Sequence, residues 1–129
     1  MSSEIISLGA DLVEIARIEA LMAEHGQRFL DRVFTPKEQE YCSAAPKKQS
    51  ERYAVRFAAK EAALKAVGTG WRDGIAWTDI EVVVSPSGEP HLFVTGTAGK
   101  FAAERGIRRW LVSLSHTDTH ALASVVACS

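Results

Sequence analysis

A chain of 129 residues, 47% hydrophobic and 24% charged, has the size and make-up of one domain, residues 1–129, with its own core. Its net charge of −1 gives no global attraction to nucleic acid or to an anionic membrane surface, so an anionic partner must be met by a local patch. The apolar runs are too short to span a bilayer, the Met1-Ser2-Ser3-Glu4 start lacks a secretory pattern, and Cys42 and Cys128 form neither a disulfide framework nor a zinc spacing, which points to a reduced cytoplasmic setting.

In chain order, Ile5 to Leu8 reads as a short strand closed by Gly9. Apolar residues at Leu12, Ile15, Ile18, Leu21 and Met22 give a helical period over about 12–24, ending near Gly26. Phe29 to Phe34 reads as an apolar turn. Thr35-Pro36-Lys37-Glu38 is a helix start, with Thr as N-cap, Pro at the first helical position and Glu at the capping-box position. A long helix over about 50–67 ends at Gly68-Thr69-Gly70. Ile80–Val84 and His91–Val94 are strands joined by the Ser85-Pro86-Ser87-Gly88 turn, a short helix runs over about 96–105, and Trp110–His116 and Ala121–Ala127 form a final hairpin. Helices and antiparallel strands in separate blocks predict the α+β class.

The long helix carries the most information. Tyr53, Phe57, Leu64 and Val67 form a large apolar stripe, and Ala54, Val55, Ala58, Ala59, Ala62 and Ala66 face the other way. A helix apolar on both sides is packed on both sides. Lys60 falls inside the stripe, Glu61 at its edge and Lys65 one turn beyond Glu61. Two readings stand. Glu61 and Lys65 are either an i,i+4 surface pair, or charges kept on a mostly buried helix because a phosphate-bearing ligand and a divalent metal dock there. Gly68-Thr69-Gly70 is likewise a helix stop or a phosphate cradle.

Asp11-Leu12-Val13-Glu14 fits an acidic capping box, which makes Asp11 a helix N-cap. The alternative makes Asp11 and Glu61 hard oxygen ligands of Mg²⁺, a metal commonly held by one or two protein carboxylates. His116, at the end of a core strand, is either a packed residue or a ligand contact.

Four stretches together carry a family likeness. Gly9-Ala10-Asp11-Leu12-Val13-Glu14-Ile15-Ala16-Arg17-Ile18, Phe34-Thr35-Pro36-Lys37-Glu38 and the block from Arg56 to Gly70 occur in order, followed by Ser113-Leu114-Ser115-His116. The chain thereby resembles the holo-acyl-carrier-protein synthases. The resemblance implies a 4'-phosphopantetheinyl transferase fold, with an antiparallel sheet around a long central helix and short N-terminal helices. It implies transfer of 4'-phosphopantetheine from coenzyme A to a serine of apo-acyl carrier protein in support of fatty acid biosynthesis, and a homotrimer with active sites between subunits.

By the same resemblance Asp11 and Glu61 hold Mg²⁺, and Lys65 faces the phosphates as the third catalytic residue. Coenzyme A contacts are implied for Arg56, Lys60, Lys65, Gly68, Thr69, Gly70, Ser85, Pro86 and His116, and carrier docking for Arg17. Two departures stand out: Glu24 and Asp31 interrupt the basic region around Arg28 and Arg32, and Glu89 follows the Ser85–Gly88 turn where the family commonly has a basic residue. The rival functions are a coenzyme A-binding module without transfer, a Mg²⁺-dependent phosphohydrolase and a purely structural trimer.

Overall fold

The computed structural model describes residues 4–72 and 74–129. Its first element corrects the sequence reading. Strand β1 runs Ile5–Glu14, and helix α1, Ile15–His25, begins only after it. Asp11 therefore lies inside a strand, and the position before α1 is Glu14, whose side chain caps nothing. The reason is long-range pairing. From Ser7 to Glu14 the chain is in register with the C-terminal strand, ending at Glu14 opposite His120, and the Ile15 N–H donates to the Thr119 carbonyl at 2.9 Å. A full ladder outweighs one local capping signal.

Helix α2, Gln27–Val33, occupies the segment read as a turn, separated from α1 by Gly26 at φ +56°. Helix α3, Pro36–Ser43, starts as expected: the Thr35 hydroxyl accepts from the Glu38 N–H at 3.2 Å, and the Thr35 N–H donates to Glu38 Oε1 at 2.9 Å. A 3₁₀ turn, Pro46–Lys48, leads into the long helix α4, Gln49–Val67. The hairpin of β2, Ile80–Val84, and β3, Pro90–Val94, follows, preceded by a 3₁₀ turn at Trp77–Asp79. Helix α5 spans Gly96–Glu104, and β4, Arg109–His116, and β5, His120–Cys128, close the chain.

The strands form two antiparallel sheets, β1-β5-β4 and β2-β3. This is the α+β architecture expected, with α4 at its centre. Along α4, Tyr53 to Lys60 and Ala62 to Leu64 are buried without a break, the signature of a helix covered on all sides. One face of the larger sheet supplies part of that cover through Val13, Ala121, Ala123, Val125 and Ala127. The approach is close: a Cβ on Gly9 would strike the Ala62 carbonyl oxygen, so only glycine lets β1 cross α4 at this depth.

Strand alternation then places Gly9, Asp11 and Val13 toward α4 and Leu8, Ala10 and Leu12 away from it. The outward face has apolar rows. Leu8 pairs with Val126 and Val126 with Leu111, while Leu12 pairs with Leu122. Leu8 is 69% exposed, Leu12 62% and Leu111 51%. No helix among the described residues is long and apolar enough to cross a membrane.

Candidate active site

The site is built where β1 passes the C-terminal half of α4. Lys65 extends its ammonium to the Ala10 carbonyl at 2.9 Å and to Asp11 Oδ1 at 3.2 Å. Helical spacing puts Glu61 one turn before Lys65, on the same side. Glu61 also senses Asp11: burial first, and then the Asp11 charge, raise its pKa above the ordinary 4.5. A hydrogen bond from Trp71 and the charges of Lys65 and Arg17 pull it back down. The fold thus brings Asp11 to Glu61 and Lys65, which lie 50 and 54 residues further along the sequence.

Two carboxylates that repel each other in a half-buried setting, with one ammonium at the side, form a donor set for a hard divalent cation. Among the described residues no cluster of three or more His, Cys, Asp or Glu could hold a metal. A two-carboxylate set suits Mg²⁺, which keeps several waters and takes substrate phosphates as its other ligands.

The end of α4 frames the site. Gly68, at φ +89°, is a left-handed helix stop, and the Arg105 guanidinium donates to the Ala66 and Val67 carbonyls at 2.9 and 2.7 Å. Gly68 and Gly70 line a cleft of about 250 Å³ with Glu61, Leu64, Lys65 and Trp71. The Thr69 hydroxyl donates to the Gly70 carbonyl at 2.9 Å. The segment is therefore both a helix stop and a wall of the cleft.

The remaining expected residues lie apart from this cluster. Arg56 is five residues before Glu61 on α4, about 7.5 Å along the axis. Its side chain is buried; Nη1 donates to the Arg52 carbonyl at 3.1 Å, but Nε and Nη2 have no hydrogen-bond partner among the described residues. It lines a small cavity with Lys37, Tyr41 and Val82 to Val84, next to the turn that begins with Ser85 and Pro86. His116 is exposed, 3.5 Å from Glu51 near the start of α4.

Lys60 requires a correction. The stripe of large apolar residues carries a lysine because its partner is internal. Its ammonium is fully buried, 2.8 Å from Glu38 Oε1, and donates to the Trp77 carbonyl at 3.3 Å and to the Ile80 carbonyl. Glu38 Oε2 accepts from the Val82 N–H at 2.9 Å. These bonds tie α3, α4 and β2 together and leave the amine no room for a ligand. Sequence reasoning saw Glu38 only as a capping-box residue, and nothing in the local pattern marks its second role.

Arg17 lies on the exposed side of α1, its guanidinium 5.7 Å from the centre of the Phe57 ring. The two acids that interrupt the neighbouring basic region are differently placed. Asp31 accepts from Gln27 at 2.7 Å and from Gln39 at 3.2 Å, and these bonds lower its pKa. Arg28, Arg32 and His25 share a shallow pocket with Leu21 and Phe29. Trp71 is the residue of the cleft that the sequence did not signal.

Comparison with known proteins places the chain in a family. The family model of the 4'-phosphopantetheinyl transferase superfamily matches residues 7–124. The holo-[acyl-carrier-protein] synthase of Geobacter sulfurreducens is 47% identical over 122 residues, covering 95% of this chain and 96% of that protein. The corresponding protein of Geotalea daltonii is 44% identical over 122 residues, 95% of this chain and 97% of its own. Among solved structures, the holo-[acyl-carrier-protein] synthase of Neisseria meningitidis superposes with a TM-score of 0.85 at 39% identity, covering 96% of this chain and 98% of that one. The Helicobacter pylori enzyme in complex with coenzyme A gives 0.81 at 32% identity over 93% and 98% of the two chains. The chain belongs to the 4'-phosphopantetheinyl transferase superfamily and, within it, to the holo-[acyl-carrier-protein] synthases.

Proposed function

We propose that the transfer of 4'-phosphopantetheine from coenzyme A to a serine of apo-acyl carrier protein takes place at the Asp11–Glu61–Lys65 cluster and depends on Mg²⁺. The observation that carries the site is the convergence of two mutually repelling carboxylates and one ammonium beside a glycine-walled cleft. Asp11 and Glu61 would hold Mg²⁺, which when bound supplies charge neutralisation at the pyrophosphate.

The chain's own residues do the rest. Lys65, anchored by the Ala10 carbonyl, presents its ammonium to charge building on the leaving phosphate. The serine proton passes to a carboxylate of the cluster. Gly68, Thr69 and Gly70 let the pyrophosphate approach the backbone. The unpaired Nε and Nη2 nitrogens of Arg56 offer a second anion contact at the nucleotide end. The reading also includes fatty acid biosynthesis as the pathway served and the cytoplasm as its place.

His116 and the Ser85–Pro86 turn complete a coenzyme A site across a subunit boundary in a homotrimer. Support comes from their distance from the cluster within one chain and from the exposed rows Leu8–Val126–Leu111 and Leu12–Leu122 on the outer sheet face. Contiguous apolar faces of this kind mark association surfaces. Sedimentation of the wild-type protein should give the mass of three chains, and Leu12→Asp should give one chain with transfer lost. A wild-type mass of one chain would refute the trimer.

Arg17 docks the carrier. Arg17→Ala should raise the KM for the carrier severalfold while coenzyme A affinity stays within about twofold, and added salt should raise the wild-type carrier KM in the same way. Equal loss of both affinities would place Arg17 in the nucleotide site instead.

A further inference from the structure

The cleft wall contains one accessible apolar surface, the ring of Trp71, which enters the chemistry above only through its hydrogen bond to Glu61. Glu61 and Lys65 are charged, Gly68 and Gly70 carry no side chain, and Leu64 is only 2% exposed. Trp71 is 39% exposed. Its ring is held by a ladder of aromatic groups: it lies 4.1 Å from Trp77, which stacks 4.9 Å from Phe57, whose ring carries the Arg17 guanidinium. A rigid indole with one side against a partner and the other free is a pre-organised contact surface.

We propose that Trp71 is a specificity-determining residue for the known reaction, its free face receiving the pantetheine arm of coenzyme A beside the reacting phosphate. The inference rests on the site reading above, which puts the pyrophosphate at Asp11, Glu61 and Lys65. The two ends of the pyrophosphate differ in what they place next to it. On the arm side, the ester oxygen bears a CH₂ and then a carbon with two methyl groups, a compact apolar unit. On the nucleotide side the ester oxygen bears a CH₂ and then a ribose ring that carries a hydroxyl and the 3'-phosphate, a more polar unit. An apolar wall in contact with the reacting end matches the arm. The ladder also ties the wall, through Phe57, to the arginine that docks the carrier, so one rigid stack borders both substrates.

The test is calorimetric titration of coenzyme A, and separately of adenosine 3',5'-bisphosphate, into wild-type protein, Trp71→Ala and Trp71→Phe in the presence of Mg²⁺. The bisphosphate has the nucleotide end but no arm. Trp71→Ala should weaken coenzyme A about tenfold, the effect of re-exposing roughly two methyl groups, and leave the bisphosphate within about twofold. Trp71→Phe should restore most of the lost affinity. Unchanged coenzyme A affinity in Trp71→Ala would overturn the proposal. So would equal weakening of both ligands, which would assign the indole to the nucleotide or to loop structure. Wild-type protein that binds neither ligand would refute the site reading itself.

Discussion

Replacing Glu61 by glutamine should lower kcat/KM for transfer by more than about a hundredfold, since even indirect supports of a metal ligand reach that figure. The variant keeps the size and hydrogen-bonding capacity of the side chain and removes only the charge. The same change should not destabilise the metal-free protein. Burial and the Asp11 charge raise the Glu61 pKa above 4.5, so between 4.5 and the raised value the folded state holds more protons than the unfolded one. Stability contributed by this group therefore falls as pH rises through that window, and stays reduced above it. In EDTA at pH 7, Glu61→Gln should melt at or above the wild-type temperature, and the advantage should vanish below about pH 4.5, where both states are protonated. Transfer within tenfold of wild type would refute the metal assignment. A lower melting temperature in EDTA would show that Glu61 is a structural group.

Replacing Lys60 by methionine should act in the opposite way, on stability rather than on ligand. It leaves the Glu38 carboxylate buried without its counter-charge and the Trp77 and Ile80 carbonyls without their donor. Breaking one side of a buried pair costs about 3–5 kcal/mol, a large share of the roughly 5–15 kcal/mol of a whole domain. The melting temperature should fall by about 10–20 °C. At low temperature, where the variant is folded, coenzyme A affinity should match wild type. A melting temperature within a few degrees of wild type together with lost affinity would return Lys60 to the ligand site.

The contrast between these neighbours on α4 shows what a sequence can carry. Periodicity alone exposed the long helix, its burial on all sides and the three odd charges at Lys60, Glu61 and Lys65. It could not separate them, because the distinction lies in partners far away in sequence: Glu38 reaches Lys60 from α3, and Asp11 reaches Lys65 from β1. The helix start at Thr35 was legible because all its bonds are local. Asp11 misled for the same reason, since a local capping pattern was present but the pairing of β1 with β5 decided the conformation. Gly9 read as a strand end, whereas the structure uses it as the crossing point where a side chain would meet Ala62. Trp71 gave no signal, because nothing in a glycine-rich segment shows that an indole will be clamped by Trp77.

The family likeness supplied what spacing could not, by joining Asp11 to Glu61. It placed Lys60 among ligand contacts, where the geometry places an internal ion pair. Under the proposed trimer, His116 and Ser85–Pro86 are the residues whose roles depend most on association.

The most direct test of the account is the intact mass of an apo-acyl carrier protein incubated with this protein, coenzyme A and Mg²⁺. The carrier should gain one phosphopantetheine group, and should gain nothing with EDTA, with Glu61→Gln or when its acceptor serine is alanine. No gain on any carrier from folded protein that binds coenzyme A would contradict the transferase reading, and an undiminished gain in EDTA or with Glu61→Gln would contradict the site.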